Sequence, residues 1–275
     1  MTSGIEVRRV RFAWPDDLEP VWIPDLPELA LAANAVSLLM PHTEPYVVNS
    51  VRSCIDDLRA TDPELADRAR AYVSQEAQHH AQHRRFNDIL VAHYPSLRRL
   101  ESLMVWVFAF LGRRSVRFGL AFAAGFETTA FVAARWVDRN QRLLRGGDPT
   151  ATTMFLWHLA EEVEHKEVAF DVYEAHGGGR LRYAWATTVA GVLLAAFSLV
   201  GTLTMMAATR RIWNPVAHFR LIGWSLSFIF VALPLMIVSS LPGHHPRDLV
   251  NPAGLEHWLD HLDPGTATVP EWALP

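Results

Sequence analysis

The sequence predicts an all-α protein: a four-helix bundle holding a carboxylate-rich metal site, with an additional C-terminal hydrophobic helical hairpin. Three observations predict it. Two Glu-x-x-His pairs, Glu76 with His79 and Glu162 with His165, each follow an isolated glutamate, Glu44 and Glu127, by a similar length of chain. Apolar residues recur at the 3.6-residue helical period through the stretches that carry these pairs. Beyond them lie two long uncharged runs, 183–209 and 221–243.

The composition sets the outer limits. A chain of 275 residues, half of them hydrophobic and 20% charged, is long enough for a sizeable core and somewhat poor in charge. That deficit points to a membrane or a large apolar interior. A formal net charge of −4 and a pI near 6.3, with no basic stripe, argue against nucleic acid as a partner. The single cysteine, Cys54, excludes an internal disulfide and any thiolate metal cluster. The N-terminus has charge and proline where a secretory segment needs an apolar run, so none is read there.

The elements follow in order. Residues 1–32 read as an irregular, proline-rich segment with one short strand at Val7–Phe12, and Arg8, Arg9 and Arg11 read as its solvated edge. Residues 33–180 form the bundle. The first helix, 45–60, places Val47, Val48, Val51, Ile55 and Leu58 on one stripe. Thr61-Asp62-Pro63-Glu64 starts the second, 65–92, whose stripe runs through Tyr72, Glu76, His79, His83 and Phe86. Segment 100–140 is apolar nearly all round, which marks a fully buried or lipid-facing helix. Glu127 is its only charge between Arg117 and Arg135. Gly146-Gly147-Asp148-Pro149 opens the fourth helix, 151–175, with Phe155, His158, Glu162 and His165 on one face. Residues 181–243 form the hairpin, each run long enough to cross a bilayer. Trp185, Trp213 and Trp224 lie near its ends as interfacial aromatics do. The connecting loop and the outer flanks carry equal numbers of arginines, so charge does not orient it. Residues 244–275 are a polar, His- and Pro-rich tail that packs on the surface.

Residues three apart share a helix face, so both members of a Glu-x-x-His pair reach one point. Buried carboxylates cost several kcal/mol unless something compensates them. Glu44 and Glu127 sit on apolar stripes with no Lys or Arg nearby in sequence. Glu44, Glu76, His79, Glu127, Glu162 and His165 are therefore expected to ligate two metal ions. The donors suit iron or a manganese–iron pair; zinc prefers a smaller tetrahedral set. Glu44 is the least secure member, because Pro45 disfavours helix at the preceding residue. Asp56 and Asp57 are weaker substitutes. Tyr72, His83 and His158 share the same faces and are candidates for orienting ligands or moving protons, against a plain packing role. Glu161 is a further candidate for orienting ligands. His80 and Glu164 are expected at the solvent side, and His244-His245 in a loop.

The stretches PHTEPYVVNSVRSCIDD (41–57), SQEAQHHAQHRRFN (74–87), GFETTAFVAARW (125–136) and WHLAEEVEHKEVAFDVYEA (157–175) resemble a bacterial family labelled "predicted metal-dependent hydrolase". LPGHHP (241–246) resembles its Pro-Gly-aromatic-His-Pro ending, with His244 where an aromatic is usual. The resemblance runs from about residue 7 to 250. It implies a ferritin-like bundle with metal ligands at the six residues above, while the family's activity is itself unsettled. No Ser/His/Asp triad stands in recognisable context.

The leading functional expectation is a membrane-associated di-iron, or mixed iron–manganese, oxidase or oxygenase. Its substrate would be apolar or lipid-like, and it would require an electron donor. The alternatives are a metal-dependent hydrolase using a metal-activated water and a ferritin-like metal-storage module, which the uncharged runs disfavour. A homo-oligomer is compatible with either enzyme. The expected location is the inner membrane, with the metal domain on the cytoplasmic side.

Overall fold

The computed structural model describes residues 5–15 and 17–268, so the expectations for residues 1–4 and the last seven residues of the tail lie outside it. Every regular element among the described residues is a helix, apart from a single bridge between Asp263 and Thr268. The strand expected at Val7–Phe12 does not form. That segment has no regular structure, and side chains rather than a second strand bind its backbone. Gln75 Nε2 donates to Glu6 O at 2.9 Å and Gln82 Nε2 to Val10 O at 2.8 Å.

The first helix, α1 (Pro27–Arg52), starts well before the expected 45 and takes in the end of the supposedly irregular segment. Pro27 opens it at a position where a missing N–H costs nothing. Pro41 and Pro45 both lie inside it, and the helix continues through them. Pro41 has no N–H for the carbonyl of Ser37, four residues back. Asn87 Nδ2 donates to that carbonyl instead, at 2.8 Å. The side chain thus replaces a lost helical bond, and Glu44 is held mid-helix rather than at a helix start.

A break at Ser53–Cys54 separates α2 (Ile55–Thr61) from α1. Asp62 then caps α3 (Pro63–His93), its carboxylate accepting from Leu65 N at 3.0 Å. The apolar stretch expected as one helix is two, α4 (Leu97–Leu111) and α5 (Val116–Arg139), split where Ser115 caps the second. The fourth expected helix is also two, α6 (Pro149–His165) and α7 (Val168–Ala175). Its hydrogen bonding lapses at Lys166 and Glu167, although both stay in right-handed helical conformation.

Two long apolar helices follow, α8 (Arg180–Ala208) and α9 (Pro215–Ser240). With α5 they are the helices long and apolar enough to cross a membrane among the described residues. The tail does more than lie on the surface. Its helix α10 (Ala253–His261) packs on α6 and buries Leu255 and Trp258.

Helix α1 is the spine. It packs against α3, α5 and α8, and most of its residues are buried. Helix α5 in turn contacts α6, α7, α8 and α9. Close approach to α8 needs small residues: a Cβ on Gly125 would sit 2.5 Å from Thr187 Oγ1, and one on Gly201 2.9 Å from Ala35 Cβ.

Candidate metal centre

The six expected ligands converge between α1, α3, α5 and α6, and each is at most 1% exposed. One donor atom from each of Glu76, His79, Glu162 and His165 lies within 4.8 Å of all the others. Glu76 Oε1 is 3.2 Å from both His79 Nδ1 and His165 Nε2, so it sits between the two imidazoles. Glu162 Oε1 is 3.7 Å from His79 Nδ1. Glu127 Oε2 lies 3.1 Å from His165 Nδ1, and the Tyr72 hydroxyl donates to Glu127 Oε1 at 2.7 Å. Trp157, part of the hydrophobic core, packs edge-on against the His79 ring at 4.9 Å.

Glu44 is brought in on the side of His158, whose Nε2 is 4.0 Å away. A second set of potential donors, Glu44, His83 and His158, also lies within 4.8 Å of one another. The hydrogen bonds fix how these two histidines are protonated. Asn87 uses its amide nitrogen on Ser37 O, so its oxygen accepts, and Ser37 Oγ donates to it at 2.8 Å. Ser37 has then spent its only hydrogen and must accept from His83 Nδ1 at 2.7 Å. His83 Nε2 in turn accepts from His158 Nδ1 at 2.5 Å. The outcome is a bare His158 Nε2, 2.7 Å from Glu162 Oε1. A lone pair facing a carboxylate requires a proton or a cation between them. Burial, reinforced by the neighbouring imidazoles, keeps a proton off these rings: it holds His158 well below the ordinary histidine range and His83 at about 3, so a proton shared with Glu162 belongs to the carboxyl unless a cation takes its place.

His79 is oriented from outside the cluster. Its Nε2 bonds Glu161 Oε2 at 3.0 Å, and Glu161 is itself bound by Arg8 Nη1 at 3.3 Å. Arg8 also forks onto Glu164, with both bonds at 2.8 Å. Arg8 is therefore part of the site's support and not a solvated edge, and Glu164 and His80 are half-buried rather than open to solvent. Glu161 is fully buried. Burial opposes charge on His79, but its hydrogen bonds to Glu161 and Glu76 outweigh that and raise its pKa to about 10. Its Nδ1 faces the cluster, where a bound cation would replace the proton on that nitrogen. Asp56 and Asp57 are exposed, away from this interior. His245 pairs with Asp171 at 2.9 Å, and His244 is exposed; neither joins the cluster.

The donors fit metal ions by what they lack. Both oxygens of Glu44, Oε2 of Glu76, Glu127 and Glu162, and both ring nitrogens of His165 are buried without a well-formed hydrogen bond. Buried polar atoms are nearly always satisfied, so seven such atoms pointing into one volume mark the place for a bound cation or cations. Burial pushes the Glu44 and Glu162 carboxyls well above the usual carboxylate range, with repulsion from neighbouring glutamates adding to it. Cations relieve both effects.

Sequence reasoning did not find Arg8 or Asn87. Both act across the fold on residues far away in the chain, and neither belongs to a Glu-x-x-His pair. Neither the curated proteins nor the solved structures yield a match to this chain. A family described as "predicted metal-dependent hydrolase" matches residues 6–249, nearly the whole chain and all of the cluster. A buried carboxylate–imidazole centre is what a metal-dependent family requires, and the chain belongs to that family.

Proposed function

We propose that this protein is a two-metal hydrolase, with a water nucleophile and an apolar or lipid-like substrate, working at the cytoplasmic face of a membrane. The observation that carries the reading is the set of unpartnered carboxylate and imidazole atoms in a dry interior, in a chain of a metal-dependent family. Glu44, Glu76, His79, Glu127, Glu162 and His165 would hold the cations, with Glu76 lying between the two imidazoles. The bare Nε2 of His158 adds a seventh donor. When bound, paired cations make a water acidic enough to act as a nucleophile near neutral pH and polarise the bond it attacks.

The chain's own groups supply the rest. Glu44 has two unpartnered oxygens, one for a cation and one to take the proton from the water. Ser37, His83 and Asn87 hold the His158 ring so that its lone pair faces inward, and Arg8 with Glu161 does the same work for His79. Tyr72 holds Glu127 through its hydroxyl hydrogen. Side-chain nucleophiles are poorly placed for the alternative: Ser37 donates its hydrogen to Asn87, and Cys54 lies at the α1–α2 break.

One observation favours a second reading, oxidation by a di-iron or iron–manganese centre. The donors are dominated by hard carboxylates, and a buried tyrosine touches one of them. The origin of the product oxygen separates the two. Protein loaded with a defined metal is given long-chain acyl esters and amides in ¹⁸O-labelled water, and in parallel under ¹⁸O₂ with a reductant. Hydrolysis places one solvent oxygen in the carboxylic product and ignores O₂. Label arriving only from O₂ would establish oxidation in its place.

A further inference from the structure

The apolar helices α8 and α9 are long enough to cross a bilayer, but their packing speaks for another arrangement. Helix α8 lies along the flank of the bundle. Near its start Tyr183 Oη is 2.7 Å from Thr128 Oγ1 on α5, and farther along Gly201 meets Ala35 on α1. Those two points on α8 are separated by about 27 Å at 1.5 Å per residue, close to the roughly 30 Å of a hydrocarbon core. Just past its end, Arg211 reaches Glu28 in the first turn of α1 at 3.1 Å. Helix α9 runs back along the same flank: Arg220 is 3.7 Å from Glu28, Trp136 on α5 bonds Ser227, and Ser239 lies by Tyr183.

A crossing α8 would therefore carry α1, α5 and the rest of the bundle into the bilayer with it. Helix α3, on another side of α1, exposes Asp67, Arg84, Arg85 and Asp88. These charges would then lie at the depth of the acyl chains, at several kcal/mol each. The alternative places only the flank in lipid. Helix α9 exposes Phe219, Ile222, Leu226, Phe230, Leu233 and Ile237. Helix α4, which packs on α8, adds Leu103, Trp106 and Phe110. One layer of helix is about 10 Å thick and fits within a single leaflet of about 15 Å.

Charge placement agrees. Exposed arginines border the flank at both of its ends: Arg113, Arg114 and Arg182 at one, Arg98, Arg99, Arg210 and Arg220 at the other. A spanning hairpin places its two ends in opposite headgroup layers, and cationic flanks concentrate on one side. In a helix pair lying flat, both ends meet the same headgroups, and arginine at both is what anionic lipid would attract.

We infer that the α4–α8–α9 flank is a docking surface for one leaflet of an anionic bilayer, with α8 and α9 in the membrane plane. The inference rests on the membrane location in the proposed function, not on the reaction, and its test needs no catalysis. The full chain carrying Cys54→Ala is made by cell-free synthesis with preformed phosphatidylglycerol vesicles present. Single cysteines replace Trp213, between α8 and α9, or His244, after α9; both residues are exposed. The expected result is salt-resistant flotation, with both cysteines labelled fully by an impermeant maleimide added outside. Protection of one cysteine and labelling of the other would mean a spanning hairpin and overturn the inference, as would failure to float. Polarised infrared dichroism of the unaltered protein on a supported bilayer reads the same question without substitutions. Helix axes parallel to the membrane agree with the inference, and axes along its normal refute it.

Discussion

The two Glu-x-x-His pairs have the same spacing and different surroundings. On α3 the pair lies inside an unbroken 31-residue helix. Its His79 is held from behind by Glu161, which Arg8 holds in turn. On α6 the helix lapses immediately after His165, and both of that ring's nitrogens face the cluster's own carboxylates, Glu127 and Glu76. The ring of Tyr72 packs edge-on against it at 5.0 Å, supplying shape but no hydrogen bond. A shared motif therefore fixes where donors point, whereas how firmly they point there depends on outer partners. The cation beside His79 should be the tighter of the two.

Glu76 and Glu162 belong to both halves, so their loss has the largest expected effect. Glu76→Ala and Glu162→Ala should each remove both metals, as read by elemental analysis of purified protein. Retention of one full equivalent in either variant would mean that the two positions do not share that carboxylate. The halves separate at the next level. Chelation of the wild-type protein should release metal in two steps, the position beside His165 and Glu127 emptying first. His165→Ala should lack the early step and His79→Ala the late one; a single concerted release in the wild type would erase the asymmetry.

The outer support can be cut without touching a ligand. Glu161→Gln keeps the shape beside His79 and removes the charge that Arg8 and the imidazole share. A roughly 10- to 100-fold weaker affinity at the His79 position is expected, the range usual for groups that orient ligands. The His165 position should be unchanged, and calorimetric titration of metal-free protein distinguishes the two. On α1, Asn87→Leu should leave the Ser37 carbonyl without the bond that Pro41 denies it and free the Ser37–His83 pair to turn. About 1–3 kcal/mol of stability should be lost, measured by urea denaturation.

These cases show what was legible in the sequence. The periodicity of 65–92 placed Glu76 and His79 inward because a helical face is a local property, and the same holds for Glu162 and His165. By local rules Pro45 disfavours helix at Glu44, and any proline inside a helix also leaves an acceptor bare. The remedy at Pro41 is a side chain on another helix, Asn87, which no local rule could supply. Arg8 is illegible for a related reason. Its partners Glu161 and Glu164 lie across the fold, and a lone arginine in a proline-rich segment carries no signal of them. The lapse at Lys166–Glu167 is hidden because apolar positions continue on either side of it, whereas the one at Gly112–Ser115 is marked only by Gly112, two arginines and Ser115 within a longer apolar stretch. The hairpin was legible as apolar and long, but its direction relative to a membrane depends on which flank it packs against.

The smallest expected effect concerns how the α6 half is steadied past its lapse. Asp171, on α7, accepts from Arg68 of α3, at 2.6 Å, and from Arg247, at 2.9 Å, with His245 at 2.9 Å as well. Burial alone would raise its pKa; the bonds to His245 and Arg68 outweigh burial and hold it below the usual carboxylate range. A carboxyl whose folded pKa is depressed stabilises the fold above its unfolded pKa, and that contribution disappears as pH falls through the folded value. Asp171→Asn should therefore cost stability at neutral pH, on the order of 1 kcal/mol for a partly screened pair. The difference from wild type should shrink on acidification from the ordinary aspartate range downward. If the variant instead stays equally destabilised at every pH, Asp171 acts through packing, and the α6 half owes its position to the cluster alone.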